Sequence, residues 1–120
     1  MEHPYLMPFI VKERTNSEII AAAQDNHTVR VFEGHWYFKP EAVKMQHLKV
    51  TERTYTCPYK GVCYWIDLET PDGIKTQNVA WVYREPKPTY EFIKDQIAFY
   101  AHPTTGTVSE KTAEPAAAAG

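Results

Sequence analysis

The segment Cys57-Pro58-Tyr59-Lys60-Gly61 places a thiol and an amine three residues apart, beside an aromatic ring. Lys60 admits three roles. In a partly desolvated aromatic cleft its pKa would fall, and the amine would serve as base or nucleophile. As a fixed point charge it would donate to an anionic ligand. With its stem laid along an aromatic ring it would be structural cover. Cys57 divides in the same way. A reactive thiolate needs a cation or a helix N-terminus nearby, and Lys60 would supply the charge. A small buried hydrophobe before a proline serves packing instead.

Trp81 and Tyr83 lie two residues apart and so share one strand face. Set beside Tyr59 and Trp36, with Tyr37 near, they would wall a pocket suited to flat rings or cations. The alternative is that they form the core, which large aromatics dominate. His35 beside Gly34 and His102 beside Pro103 read as surface residues, with Glu33 and Glu85 as orienting acids in sequence only. Asp67-Leu68-Glu69 reads as a solvated strand end. Cys57 and Cys63 do not supply the paired spacings of a structural zinc site, so no metal and no cofactor is expected. Reduced, unpaired thiols fit best, with a disulfide or redox pair as the alternative.

Composition sets the bounds. The 120 residues suit one domain that buries a real core. Hydrophobic residues are 43% and charged residues 23%, as in globular chains. Eight tyrosines fit sheet positions or a wet aromatic cleft. The formal net charge is −2, and Glu52 interrupts the basic clustering from Lys44 to Arg53, so no nucleic-acid partner is expected. No apolar run approaches the ~20 residues that span a bilayer. Pro4 and Pro8 break the apolar stretch Tyr5 to Val11, a poor signal peptide. The expected setting is cytoplasmic, away from membranes.

The elements that must position these groups are mostly strands. Residues 1–16 read as an N-terminal arm with a short strand at Phe9 to Lys12. Ser17 to Gln24 is ambiguous between a capped helix start and a strand. Thr28 to Phe38 is a hairpin turning at Glu33-Gly34. Glu41 to Lys49 holds one helical turn. Leu48 to Thr56 is an edge strand that Pro58 ends. In the strongest strand, Val62, Tyr64, Ile66 and Leu68 share one face while Cys63, Trp65 and Asp67 share the other. Pro71-Asp72-Gly73 turns the chain into Ile74 to Tyr83. Thr89 caps a short helix near residues 89–96, and Ile97 to Tyr100 is strand-like. Residues 17–104 form the domain and 105–120 a tail, disordered from Ser109.

Four blocks carry a resemblance. They are Phe32-Glu33-Gly34-His35-Trp36-Tyr37-Phe38-Lys39-Pro40-Glu41, Thr56-Cys57-Pro58-Tyr59-Lys60-Gly61, Ala80-Trp81-Val82-Tyr83-Arg84-Glu85-Pro86 and Ile97-Ala98-Phe99-Tyr100. In this order, across roughly residues 20–102, the chain resembles the family called Domain of Unknown Function 427. The resemblance implies a mainly β fold: a single compact antiparallel β-tent, barrel-like, with one short helix. It favours a strand at Ile20 to Gln24. Some members carry a nucleotidyltransferase-like label. This chain has neither a glycine-rich phosphate loop nor paired aspartates after a Gly-Ser step. Many β-tent proteins bind zinc through two Cys pairs, which are absent here.

The function expected is binding of a small molecule or peptide in an aromatic cleft of Tyr59, Lys60, Trp81, Tyr83, Tyr37 and Cys57. The alternatives are an enzyme using Lys60 or Cys57, and an interaction module without a small ligand, self-associating as a homo-oligomer through an edge strand.

Overall fold

A computed structural model describes residues 9–23 and 28–111. The strands within them are β1 (Phe9–Glu13), β2 (Ile19–Ala23), β3 (Val29–Phe32), β4 (His35–Phe38), β5 (Leu48–Cys57), β6 (Gly61–Glu69), β7 (Lys75–Tyr83), β8 (Ile97–Tyr100) and β9 (Thr107–Lys111). They make two antiparallel sheets, a three-stranded one in the order β2-β1-β9 and a six-stranded one in the order β3-β4-β8-β7-β6-β5. The mainly β, antiparallel expectation holds. The sheets stay open: β3 and β5 are free edges of the large sheet, so no barrel closes.

Alternation explains the layering. Period-two side chains send Trp36 and Phe38 of β4, Ile66 and Leu68 of β6, Ala80 and Val82 of β7 and Phe99 of β8 to one face. There they pack with Phe9 and Val11 of β1 and Ile20 of β2 as the main core. Trp36 meets Phe9 edge to face at 5.0 Å, so it is a core residue, not a cleft wall. The opposite face carries Tyr37, Cys63, Trp81, Tyr83 and Ala98, a second buried cluster.

Ser17 to Ala23 resolves toward strand. Glu13 is 2% exposed, and its carboxylate accepts the N–H groups of Thr15 and Asn16 at 2.8 and 2.6 Å. Ser17 takes a left-handed φ of 61°. This turn returns the chain against β1, so the alanines pair there rather than coil. The helix expected near residues 89–96 is a 3-10 segment, Pro88–Ile93, with Tyr90 off helical geometry. Thr89 lies inside it, and the cap position is Lys87.

The short strand expected at Phe9 to Lys12 is present as β1, but it is built into the domain, and so is the start of the expected tail. Phe9–Glu13 is the central strand of the small sheet, and Thr107–Lys111 pairs with it from Phe9↔Lys111 to Glu13↔Thr107. Thr107 is fully buried. Polar composition hid β9, because a strand at a sheet edge needs few apolar side chains. The remainder of the expected tail, 112–120, and the arm before Phe9 lie outside the described residues. Among the described residues, no helix is long and apolar enough to cross a membrane.

Candidate functional site

The second face of the large sheet is organised by register into three rows. In the central row Trp65 pairs with Trp81, Trp81 with Ala98, and Ala98 with Tyr37. Neighbouring strands lie ~4.8 Å apart, so Trp81 and Tyr37 stand on strands ~10 Å apart. Only the methyl group of Ala98 fills the gap. The two large side chains lean together over it, with ring centroids 6.3 Å apart and Trp81 Nε1 donating to Tyr37 Oη at 3.4 Å. A second row is His35 beside Tyr100, and a third is Tyr55, Cys63 and Tyr83. Trp81 is the hub. Its ring meets His35 and Tyr100 at 5.0 Å each and Trp65 at 5.9 Å, all edge to face.

These rings line a cleft of about 270 Å³. Its polar end is set by two turns. Glu33 and Gly34 both take left-handed φ, 54° and 77°, as a two-residue hairpin loop of the primed type requires. Asn or Gly suits the first position better than Glu, so its side chain is the reason for Glu33 there. Glu33 Oε1 accepts from Lys60 Nζ at 2.6 Å. Lys60 comes from the corner joining β5 to β6, where Cys57 pairs with Gly61. That corner rests on the chain after β7: Lys87 N–H donates to Lys60 O at 2.9 Å and Lys87 Nζ to Pro58 O at 2.8 Å. Gly61 takes φ 111° against Glu85 and Pro86.

Four of the expected residues come together at this cleft: Tyr37, Lys60, Trp81 and Tyr83. Tyr59 is 72% exposed and lies outside its lining. Cys57 is buried under the corner in the same aromatic cluster. The cleft is also lined by Tyr55, Trp65, Cys63 and Tyr100, which the sequence did not place there, and by Glu33 and His35, which it read as an orienting acid and a surface residue. Trp65 and Cys63 had a signal, since the alternation of β6 already put them on one face. His35 and Tyr100 had none, because their approach depends on β8 inserting between β4 and β7.

The electrostatics separate the two candidate nucleophiles. Burial alone would lower the pKa of Lys60, but the hydrogen bond and charge of Glu33 outweigh it and hold the ammonium above its ordinary value. A lowered amine, as a base or nucleophile requires, is not what this pairing makes. Cys57 runs the other way. Burial opposes its thiolate, yet the N–H groups of Lys60 and Tyr59 and the Lys60 charge prevail and lower the thiol. The Lys60 N–H lies 3.4 Å from the sulfur. Burial raises Cys63, Tyr37 and Tyr83, and so keeps the thiol and both phenols protonated. Burial, then the nearby His102, lowers His35, favouring neutral imidazole.

The family model described as Domain of unknown function (DUF427) matches residues 10–110, from the first strand to the last. The chain belongs to the DUF427 family. The match reaches beyond residues 20–102 at both ends, so β1 and β9 are part of the DUF427 domain rather than appendages to it. No curated protein matches the chain.

Proposed function

We propose that this DUF427 domain binds a small molecule in the aromatic cleft, with Trp81, Tyr37, Tyr83 and Lys60 as contacts. One observation carries the reading. A sheet face that would otherwise close with aliphatic packing instead spends two tryptophans and four tyrosines on a cleft that also holds Lys60 and Glu33. Tyr59 and Cys57 flank the corner that delivers Lys60, and their part in this reading is to hold that corner. The cleft suits one small ligand, or one side chain of a peptide, better than an extended chain.

Titrating a metabolite library while following tryptophan fluorescence and melting temperature tests the proposal. A hit should quench Trp81 and raise the melting temperature, and both effects should vanish in Trp81→Ala and in Lys60→Ala. A response that survives both substitutions places the ligand elsewhere. A second reading, a thiol-dependent reaction at Cys57, is favoured by the two N–H groups aimed at its sulfur. Slow labelling of Cys57 at neutral pH counts against that reading. Sedimentation at several concentrations addresses the third alternative, an edge strand that pairs with a second copy.

A further inference from the structure

We infer that the ligand is a flat ring compound of one or two rings bearing an oxyanion, most simply a carboxylate. This rests on the reading of the cleft as a ligand site and names the class that site would take. Three observations support it.

The first is depth. Lys60 and Glu33 form a pair, but the two charges are not equally placed. The Lys60 side chain is 12% exposed and the Glu33 side chain 47%. The lysine is the more enclosed side chain of the two, and it lines the cleft, so a ligand there can reach it. The Lys60 ammonium also lies 6.0 and 5.9 Å from the ring centroids of Phe32 and Tyr90. Rings and carboxylate together fix it as a point charge.

The second is the balance of donors and acceptors. A lysine ammonium has three N–H donors, and Glu33 takes one. Tyr37 Oη accepts from Trp81, which leaves its own proton free to donate. Burial keeps Tyr37 protonated, so it remains a donor across the physiological range, whereas the Tyr83 hydroxyl is engaged with Cys63. On the acceptor side, Lys60 engages Oε1 of the Glu33 carboxylate, and the buried Nδ1 of His35, which has no partner among the described residues, can carry the one proton of a neutral imidazole. The polar end therefore offers protons to an acceptor, and charge-assisted bonds to an oxyanion are the strong kind.

The third is shape. Trp65, Trp81 and Tyr100 contribute ring walls to the same cleft, and such walls favour a planar apolar ring. The cleft, at about 270 Å³, lies just below the ~300–1,000 Å³ range of drug-sized ligand pockets, so one or two rings fill it. An aromatic cage that recognises ammonium ligands needs an open carboxylate or none. Here a cation lodged in the cleft would lie beside the Lys60 ammonium.

Calorimetric titration of the full chain near neutral pH with indole-3-acetate, indole-3-acetamide and tryptamine separates the possibilities. The three share the ring and differ in charge. Indole-3-acetate should bind most tightly and tryptamine most weakly. Lys60→Ala should weaken the acid by about tenfold to a hundredfold, the value of one charge-assisted hydrogen bond, and Lys60→Arg should restore part of it. Removing Lys60 also frees Glu33, so the same variant should gain affinity for tryptamine. A peptide ending in tryptophan carries the same ring and carboxylate. Its binding would support the class and identify a peptide terminus as the source.

Equal binding of the amide, or tighter binding of the amine by the unaltered protein, overturns the inference and leaves the ligand cleft standing. Binding of none of the three also overturns it. The cleft itself falls only if the library yields no response that depends on Trp81. Melting of Lys60→Ala within a few degrees of the unaltered chain shows that lost affinity is not lost folding.

Discussion

Ala98→Leu tests the construction of the cleft directly. Ala98 is fully buried and lies between Trp81 and Tyr37 in the central row. The gap above it is bridged by rings 6.3 Å apart and by a 3.4 Å hydrogen bond. A leucine would place three further carbons where the two rings meet. Overpacking a filled site of this kind costs about 1–3 kcal/mol. Parting the rings also strands the Trp81 N–H away from water, a further ~1–3 kcal/mol. Some of the inserted apolar surface is itself buried, which returns part of the loss. The net expectation is about 2–4 kcal/mol. For a chain of 120 residues each kcal/mol corresponds to ~4 °C, so the melting temperature should fall by about 8–16 °C. Urea unfolding followed by tryptophan fluorescence reads the loss, and the position of the folded-state emission reads the displaced Trp81. Ala98→Gly is the companion, since it leaves the rings in contact and costs only ~0.5–1 kcal/mol through the backbone. An Ala98→Leu protein as stable as the original, with unchanged emission, would refute the description of Ala98 as the floor.

Three further expectations follow from the same geometry. Gly61→Ala should lose about 1–3 kcal/mol in urea unfolding, because φ 111° is glycine territory, although its new methyl would meet Glu85 O only at an ordinary 3.5 Å. Gly34→Ala, at φ 77° with open space around it, should lose only ~1–2 kcal/mol, and a reversed order would show that the corner is not the strained point. Stability should decline as pH climbs past about 10. Tyr37, Tyr83 and Tyr100 are raised above 10.0 by burial, so the unfolded chain releases protons that the folded chain still holds. Lys60, raised above 10.5, acts in the same direction, while the lowered Cys57 acts weakly against it. Melting temperatures that stay level from pH 8 to pH 11 would contradict this. Thiol labelling against pH should show Cys57 reacting with a midpoint below 9.0 and Cys63 only above it or on unfolding. The reverse order would mean that the N–H groups do not face the Cys57 sulfur.

The legible parts of this fold were those governed by neighbours in the chain. Gly34 marked the first hairpin, Pro71-Asp72-Gly73 the turn before β7, and alternation in β6 sorted Ile66 from Trp65, all from local rules. Registers between distant strands were not legible. No local signal says that β8 inserts between β4 and β7, and that insertion alone brings Ala98 under Trp81 and His35 against Tyr100. Trp36 was misplaced for a different reason, since adjacent Trp36 and Tyr37 cannot share one face of a strand. Its type suits a cleft wall, but its parity in β4 sends it to the core beside Phe9. Lys60 was singled out from its own neighbours, while Glu33 was read as a turn residue and as an orienting acid for a histidine, not as the partner of Lys60. The Glu33 ion pair, which decides the proton affinity of Lys60, spans 27 positions in the chain.

The pairing of β1 with β9 has a consequence for how the chain comes into being. β1 is the first described strand to leave a ribosome and β9 the last. Nearly the whole sequence must be synthesised before Phe9 can meet Lys111. Until then β1 has one neighbour, and the apolar side chains of Phe9 and Val11 wait on a half-built sheet. Contacts this remote in sequence are slow to close and expose sticky surface meanwhile. The small sheet is thus the clasp of the molecule, and an interrupted chain would carry its aromatic face complete while its back stood open.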